Sequence, residues 1–151
     1  MLELVMRRVI FGIALAAALM SFAANSPVSS RTLNSPGDWQ GVWRGRYVCA
    51  QGTTGLTLTV RPSGANDVIA VFSFYAIADN PHVPSGQFRM FGQLGSKAGH
   101  LTLVARSWTH RPPFYVMVGL DGDYDPVSGQ YKGLVDGPGC TSFVVQRDLI
   151  S

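Results

Sequence analysis

A nine-residue stretch near the start of the chain constrains the fold most, because its two faces differ sharply. Residues 41–49 read Gly-Val-Trp-Arg-Gly-Arg-Tyr-Val-Cys. Successive side chains of an extended strand point to opposite faces. One face therefore carries Trp43, Tyr47 and Cys49, and the other carries two arginines. This alternation predicts a strand that buries an aromatic face.

A second stretch, at the end of the chain, complements the first. Residues 139–147 read Gly-Cys-Thr-Ser-Phe-Val-Val-Gln-Arg. If the two strands lie antiparallel side by side, Cys49 meets Cys140, which predicts a disulfide. The same register brings Trp43 close to Arg147, whose guanidinium can lie over the indole face. Both contacts require the first strand to pair with the last, which closes a sheet into a barrel.

The segment between these strands alternates apolar and polar residues and is interrupted by turns rich in Gly, Pro and Asn. Apart from Glu3 the chain contains no Glu, and its richness in Gly, Thr, Val, Phe and Tyr disfavours helices. We predict an all-β fold, an eight-stranded antiparallel up-and-down barrel closed by its first and last strands. The predicted strands are 41–49, 56–60, 68–75, 86–94, 100–106, 115–120, 130–135 and a last one beginning at 140. Residues 121–129 are predicted to form a turn.

The residues of the two end strands resemble the pattern of calycins. In lipocalins and avidin-like proteins, Gly-x-Trp opens the first strand and an Arg of the last strand packs across that Trp, similar to residues 41–43 and Arg147 here. The resemblance implies a small β-barrel. The wider pattern resembles a small bacterial secreted module with no established activity, and this resemblance covers residues 39–148.

A weaker similarity connects the chain to periplasmic inhibitors of c-type lysozyme. These proteins are also small barrels with an early Tyr-x-Cys and a late Cys, similar to residues 47–49 and Cys140. Their Ser-Gly-x-x-Tyr signature is one residue longer than Ser128-Gly129-Gln130-Tyr131 of this chain. This resemblance implies inhibition of a hydrolase.

The N-terminus has the pattern of an export signal. Arg7 and Arg8 precede an apolar run at 9–20 and small residues at 23–24, which predicts a signal peptide over residues 1–24. The run is shorter than the roughly 20 residues that span a bilayer. We expect a flexible leader over 25–38, a single barrel domain over 39–148, and a periplasmic or secreted protein. An oxidising compartment favours the disulfide.

The charge of the chain excludes one class of partner. Removing the predicted signal peptide leaves 10 of 12 basic and 8 of 9 acidic residues, and the arginines are scattered along the sequence. No basic stripe for phosphates is visible, so we expect no nucleic-acid partner. We also expect no stable membrane insertion once the signal is removed.

The candidate binding residues lie in two long loops. In an up-and-down barrel the connections alternate between the ends, so the predicted loops 76–85 and 107–114 fall at one end, where function concentrates on a rigid scaffold. Trp108 either belongs to a recognition patch or packs its own Pro-stiffened loop. A metal or acid–base site lacks any fixed local spacing of ligands, so we expect no metal and no cofactor. The candidate residues are Asp79, Asn80, His82, Trp108, His110 and Arg111.

The sequence favours a binding module that is not an enzyme and that uses this end to bind a small apolar or glycan ligand or another secreted protein. The alternative is an inhibitor of a secreted hydrolase such as lysozyme or a protease. A third hypothesis is a hydrolase that uses His82 and His110. A hollow barrel would favour a bound ligand, and a filled barrel with protruding loops would favour an inhibitor. His82 and His110 within hydrogen-bond reach of a third polar group would favour an enzyme.

Overall fold

Eight antiparallel strands follow one another around a closed barrel in the computed structural model, which describes residues 31–149. The predicted fold class is confirmed. Among the described residues, no helix is long and apolar enough to cross a membrane. The predicted signal peptide lies outside them. The strands are β1 (Gly41–Cys49), β2 (Gly52–Pro62), β3 (Asp67–Tyr75), β4 (Gly86–Leu94), β5 (His100–His110), β6 (Gly119–Asp125), β7 (Gln130–Asp136) and β8 (Ser142–Arg147).

The first and last strands close the barrel through the contacts that their sequences predict. β1 pairs antiparallel with β8, with Trp43 opposite Arg147. The Arg147 guanidinium carbon lies 4.6 Å from the centroid of the Trp43 ring. At the other end of this strand pair Cys49 and Cys140 form the disulfide. Burial lowers the pKa of Arg147 below its ordinary value, and its guanidinium also donates a hydrogen bond to the Asp38 carbonyl.

Aromatic side chains in contact fill the interior of the barrel. The rings of Phe72 and Phe88 stack at 4.6 Å, and Tyr47 meets Phe72 edge-on at 5.1 Å. In a second cluster, Tyr131 contacts Phe143 at 4.8 Å. An eight-stranded barrel is just wide enough for its side chains to fill it. The inward aromatic residues therefore form the core.

The two ends of the barrel carry different connections. The hairpin end has the short turns at 63–66, 95–99 and 126–129. The long-loop end has the connections at 50–51, 76–85, 111–118 and 137–141. The predicted grouping of the long loops at one end is thus present.

A short 3₁₀ helix, Pro36–Trp39, covers the hairpin end. Trp39 is fully buried, and its carbonyl accepts a hydrogen bond of 3.0 Å from the indole nitrogen of Trp43. Leu33 is buried beside it, and its carbonyl accepts a bond from the Gly99 amide. The described part of the segment 25–38, which the sequence analysis assigns to a flexible leader, therefore packs against the barrel.

The structure corrects the sequence-based boundaries of β5 and β6. β5 continues to His110, so the predicted loop 107–114 begins as strand. Pro112 and Pro113 have no backbone N–H for a ladder and end the strand. β6 begins only at Gly119, so the predicted strand 115–120 is mostly loop and the predicted turn 121–129 is mostly strand.

The pairing of β5 with β6 is short. Only His100–Leu103 of β5 pair with β6, whereas residues 104–110 have a neighbouring strand on the β4 side alone. The pairing of β4 with β5 also has two register shifts in this half. Beyond Leu103, β5 lies beside the 111–118 connection without a ladder, and Val104, Ala105, Met117 and Val118 line a pocket between them.

The disulfide should make a large contribution to stability because it links residues 91 positions apart. Replacing both cysteines with serine is expected to lower the free energy of unfolding by about 4–5 kcal/mol in the chain-entropy account. Urea denaturation of the oxidised protein and of the double variant measures the difference. Equal midpoints would contradict the expectation.

Trp39 should stabilise the barrel although it lies outside the strands. Trp39→Ala removes a fully buried indole and is expected to cost about 3–5 kcal/mol of unfolding free energy. Leu134→Ala is the control, since Leu134 is 67% exposed and its loss should change stability by at most about 0.5 kcal/mol. Similar thermal midpoints for the two variants would show that the 3₁₀ helix does not support the core.

Candidate functional site

Hydrogen bonds of Asn80 hold two connections of the long-loop end together. Its side-chain nitrogen donates to the carbonyls of Gln51 at 2.7 Å and Thr53 at 3.1 Å. These bonds tie the 76–85 connection to the turn between β1 and β2. Asn80, a predicted binding residue, therefore has a structural role in addition to any contact with a partner.

Trp108 is part of the barrel wall. It lies on β5, is half-buried, and meets Phe88 edge-on at 5.2 Å and Phe74 at 6.3 Å. The guanidinium carbon of Arg111 lies 5.8 Å from the centroid of its ring. Of the two alternatives that the sequence left open, packing accounts for most of the Trp108 surface, and Arg111 covers part of the remainder.

The predicted polar candidates form a dispersed rim. Asp79, His82 and His110 are exposed, and none of their side chains makes a hydrogen bond or ion pair to another residue within 31–149. Arg111 is also exposed, and its Nε donates to the Tyr115 carbonyl at 3.3 Å. Within the part of the chain that the structure describes, no three His, Cys, Asp or Glu side chains are grouped to hold a metal ion.

The most distinctive feature of this end is Phe114, which the sequence analysis treated only as the end of a loop. Its side chain is fully exposed, and its backbone has φ 67°, in the left-handed region. For a bulky residue this conformation is strained and costs of order 1–3 kcal/mol. The surrounding structure must therefore hold it in place.

The residues on both sides of Phe114 are anchored to the core. Tyr115 stacks on Phe74, with ring centroids 5.2 Å apart. Pro112 is buried against Gly86, where an added Cβ would lie 2.8 Å from the proline ring, so only glycine permits this approach. The chain enters and leaves the loop tip through fixed points. Phe114 therefore projects into solvent as a positioned side chain.

A pocket of about 370 Å³ lies next to Phe114. Its walls include Tyr47, Gln51, Phe114, Val116 and the disulfide. The Gln51 side-chain nitrogen donates to the Tyr47 hydroxyl at 3.1 Å. Burial, followed by the nearby Tyr115, raises the pKa of Tyr47 above its ordinary range, so the hydroxyl is neutral at physiological pH. The pocket is mainly apolar, and the Gln51 amide and the Tyr47 hydroxyl are polar groups in its walls.

Sequence reasoning missed Phe114, Val116 and Gln51. The Pro-Pro-Phe sequence at 112–114 was an available signal, because two prolines before an aromatic residue fix the direction of a loop and remove it from the ladder. Nothing in the sequence identified Gln51 as part of a pocket wall.

The eight-stranded antiparallel barrel is consistent with the calycin-like fold. No protein-family model matches this chain, and comparisons with curated proteins and with solved structures find no significant match.

The contrast between Trp108 and Phe114 is testable by stability measurements. Trp108→Ala removes a half-buried ring and is expected to lower the free energy of unfolding by about 2–3 kcal/mol, somewhat below the cost for a fully buried Trp. Phe114→Ala removes an exposed ring and should change stability by at most about 0.5 kcal/mol. Urea titrations of both variants provide the comparison. A larger loss for Phe114→Ala would mean that its ring packs in solution.

Proposed function

We propose that this chain is a non-catalytic binding module that acts outside the cytoplasm and binds another exported protein through its long-loop end, with Phe114 as the anchor. The predicted signal peptide and the disulfide support export. The observation that carries the binding role is Phe114 itself, a fully exposed aromatic residue held in a strained conformation between two anchored neighbours.

An exposed, rigid aromatic side chain is suited to an interface. Large rings provide much of the energy of protein–protein binding when they enter a pocket of the partner. Phe114 and Val116 are both exposed and border the same pocket, and an exposed apolar patch with polar residues around it marks an interaction site. The anchoring of Pro112 and Tyr115 lowers the entropy that binding would cost, since the loop is already ordered.

The surroundings of Phe114 match the usual anatomy of an interface. Val116 is 54% exposed and extends the apolar centre. His82, His110 and Arg111 are exposed polar or cationic residues on the same end of the barrel. An apolar centre with a polar rim is typical of protein interfaces.

The filled interior favours a protein partner over a ligand held inside the barrel. The rings of Tyr47, Phe72 and Phe88 are in contact and buried below the long-loop end. Binding of a ligand between the strands would require these rings to move. Binding on the loops requires no such movement, and side chains of the barrel then act as a rigid support.

Inhibition of a secreted hydrolase, such as lysozyme or a protease, is one form that this binding could take. The counterpart of the lysozyme-inhibitor signature does not contribute, because Tyr131 is buried and donates to the Leu101 carbonyl at 2.8 Å. Ser128 is bonded to Asp125 at the hairpin end. An inhibitory contact would therefore use the long-loop end. The hydrolase hypothesis relied on His82 and His110, and neither side chain forms a hydrogen bond or ion pair within residues 31–149.

The role of Phe114 is tested by site-specific photocrosslinking in the producing cell followed by affinity measurement with the captured partner. A photoreactive residue at position 114 should capture a discrete exported protein. Phe114→Ser should then weaken binding of that protein at least about 30-fold, as expected for an aromatic anchor worth 2 kcal/mol or more. A panel of purified lysozyme and secreted proteases tests inhibition directly.

Val127 provides the matched control. It is an apolar residue, 91% exposed, at the turn of the hairpin end. A photoreactive residue at 127 should not capture the same protein, and Val127→Ser should leave its affinity unchanged. Equal weakening by the two serine variants, or unaltered binding by Phe114→Ser, would refute the proposed anchor.

A small apolar ligand in the pocket beside the disulfide is a second candidate function. The volume of about 370 Å³ lies at the lower end of the range for ligand sites, roughly 300–1,000 Å³. Native mass spectrometry of the purified protein would reveal a bound ligand as extra mass. Ala50 lies at the exposed rim of the pocket, so Ala50→Trp should block the ligand and remove the extra mass. The substitution should leave the exposed Phe114 side chain unchanged.

A further inference from the structure

The outer surface of β2 to β5 gathers arginines that are far apart in the sequence. The strand register places Arg61 beside Ile69, Ile69 beside Phe91, and Phe91 beside Val104. Ile69 is 48% exposed and Val104 is 51% exposed. One row across four strands thus begins with a cation and continues with three apolar residues, Ile69, Phe91 and Val104, which we call the apolar floor.

Two further arginines border this floor. Arg89 lies on β4, two residues before Phe91 on the same face, and Arg106 lies on β5 with its guanidinium carbon 5.3 Å from the centroid of the Phe91 ring. A shallow groove of about 600 Å³ runs between them. We refer to this surface as the arginine face, formed by Arg61, Ile69, Arg89, Phe91, Val104 and Arg106.

The three arginines of this face are unpaired in the described part of the chain. Within residues 31–149, none of them forms an ion pair, and Asp67, on the same side of β3, pairs with none of them. The two lysines of the barrel differ, since Lys97 is 3.1 Å from Asp123 and Lys132 is 3.2 Å from Asp125. The arginine face therefore carries uncompensated positive charge around an apolar centre.

The carboxylates of the strands lie mainly on the other side of the barrel. β6 carries Asp121, Asp123 and Asp125, and β7 ends at Asp136. Charge is thus unevenly distributed over the barrel, with unpaired arginines over β2 to β5, whereas Asp123 and Asp125 on β6 are paired with Lys97 and Lys132. Such a distribution orients the protein in front of an anionic surface.

We propose that the arginine face docks on the surface of an anionic lipid bilayer. Guanidinium groups bind phosphate in a bidentate geometry. Exposed apolar side chains between them can enter the boundary between headgroups and acyl chains, while the arginine stems extend along that boundary with the charge at the headgroups. Four strands at about 4.8 Å spacing span about 14 Å, a width that meets several headgroups at once.

A bilayer fits this face better than an acidic protein segment. An extended segment commonly gains affinity from backbone hydrogen bonds to a free strand edge. β2, β3 and β4 have paired strands on both sides. β5 is unpaired on one side at 104–110, but that side lies next to Met117 and Val118 of the 111–118 connection, outside the groove of the arginine face. This docking is peripheral and involves no insertion of the chain across the membrane. It goes beyond the binding role of the long-loop end, which lies on another part of the barrel.

Vesicle sedimentation of the full chain tests the proposal. The chain should bind phosphatidylcholine vesicles containing phosphatidylglycerol and should bind more weakly to pure phosphatidylcholine. Each arginine near an anionic surface contributes about fivefold to partitioning. Replacing Arg61, Arg89 and Arg106 with Gln should therefore lower the partition coefficient for the anionic vesicles about a hundredfold, and added salt should weaken wild-type binding.

A matched triple variant removes the same charge elsewhere. Replacing Arg46, Lys97 and Lys132 with Gln removes three exposed cations outside the arginine face and should change partitioning by less than about tenfold. Both triple variants retain the same N-terminal residues, so a difference in vesicle partitioning between them is due to the arginine face. Thermal melting of both verifies that they fold.

An apolar variant tests the floor. Replacing Ile69 and Val104 with Ser, with every arginine retained, should also weaken vesicle binding, whereas Leu134→Ser on β7 should not. Equal losses for the two triple variants, or equal binding to neutral and anionic vesicles, would overturn the proposal. Binding of a soluble acidic polypeptide without vesicle binding would overturn it in favour of a protein partner. None of these outcomes depends on Phe114.

Discussion

The pairing of β1 with β8 is the contact on which the rest of the barrel depends. An open antiparallel sheet would leave two edges with unpaired backbone groups, and closure removes them. Arg147 lies over Trp43 near one end of this strand pair, and the disulfide joins the strands at the other. The pair is therefore fastened at both ends. A one-residue slip would turn the buried faces outward, so this double attachment also holds the register.

The closed barrel gives the long-loop end its geometry. Rings of the core reach up to this end, where Tyr115 stacks on Phe74 and Trp108 meets Phe88. The position of Phe114 follows from these contacts and from the buried Pro112. The proposed partner site and the proposed membrane face are thus built differently. The first depends on a loop anchored to the core, and the second on outward side chains of regular strands.

The sequence predicted those features that arise from regular alternation. It predicted an eight-stranded closed barrel and the disulfide because these require only strand periodicity and the matched end strands. It misplaced β6 because Asp121, Asp123 and Asp125 alternate with Gly and Tyr and resemble a turn. In the structure they face outward and bind side chains such as His100, at 3.0 Å from Asp123, and Lys132.

Features that depend on tertiary contacts could not be predicted. Trp39 is buried only because the 3₁₀ helix packs over the hairpin end of the barrel, and no periodic sequence pattern marks this residue. The arginines at 61, 89 and 106 are scattered in the sequence and converge only through the register of four strands. Phe114 is exposed because its neighbours are anchored, which is a property of the packed loop.

The short pairing between β5 and β6 has a consequence for how this molecule could diversify. Residues 104–110 and the 111–118 connection share no ladder, so the connection takes little part in holding the strands in register. Its tip could change in length or composition without cost to the core, provided that Pro112 and Tyr115 keep their anchoring contacts. The barrel thereby separates the residues that encode folding from those proposed to select a partner, and the same framework could carry many different specificities.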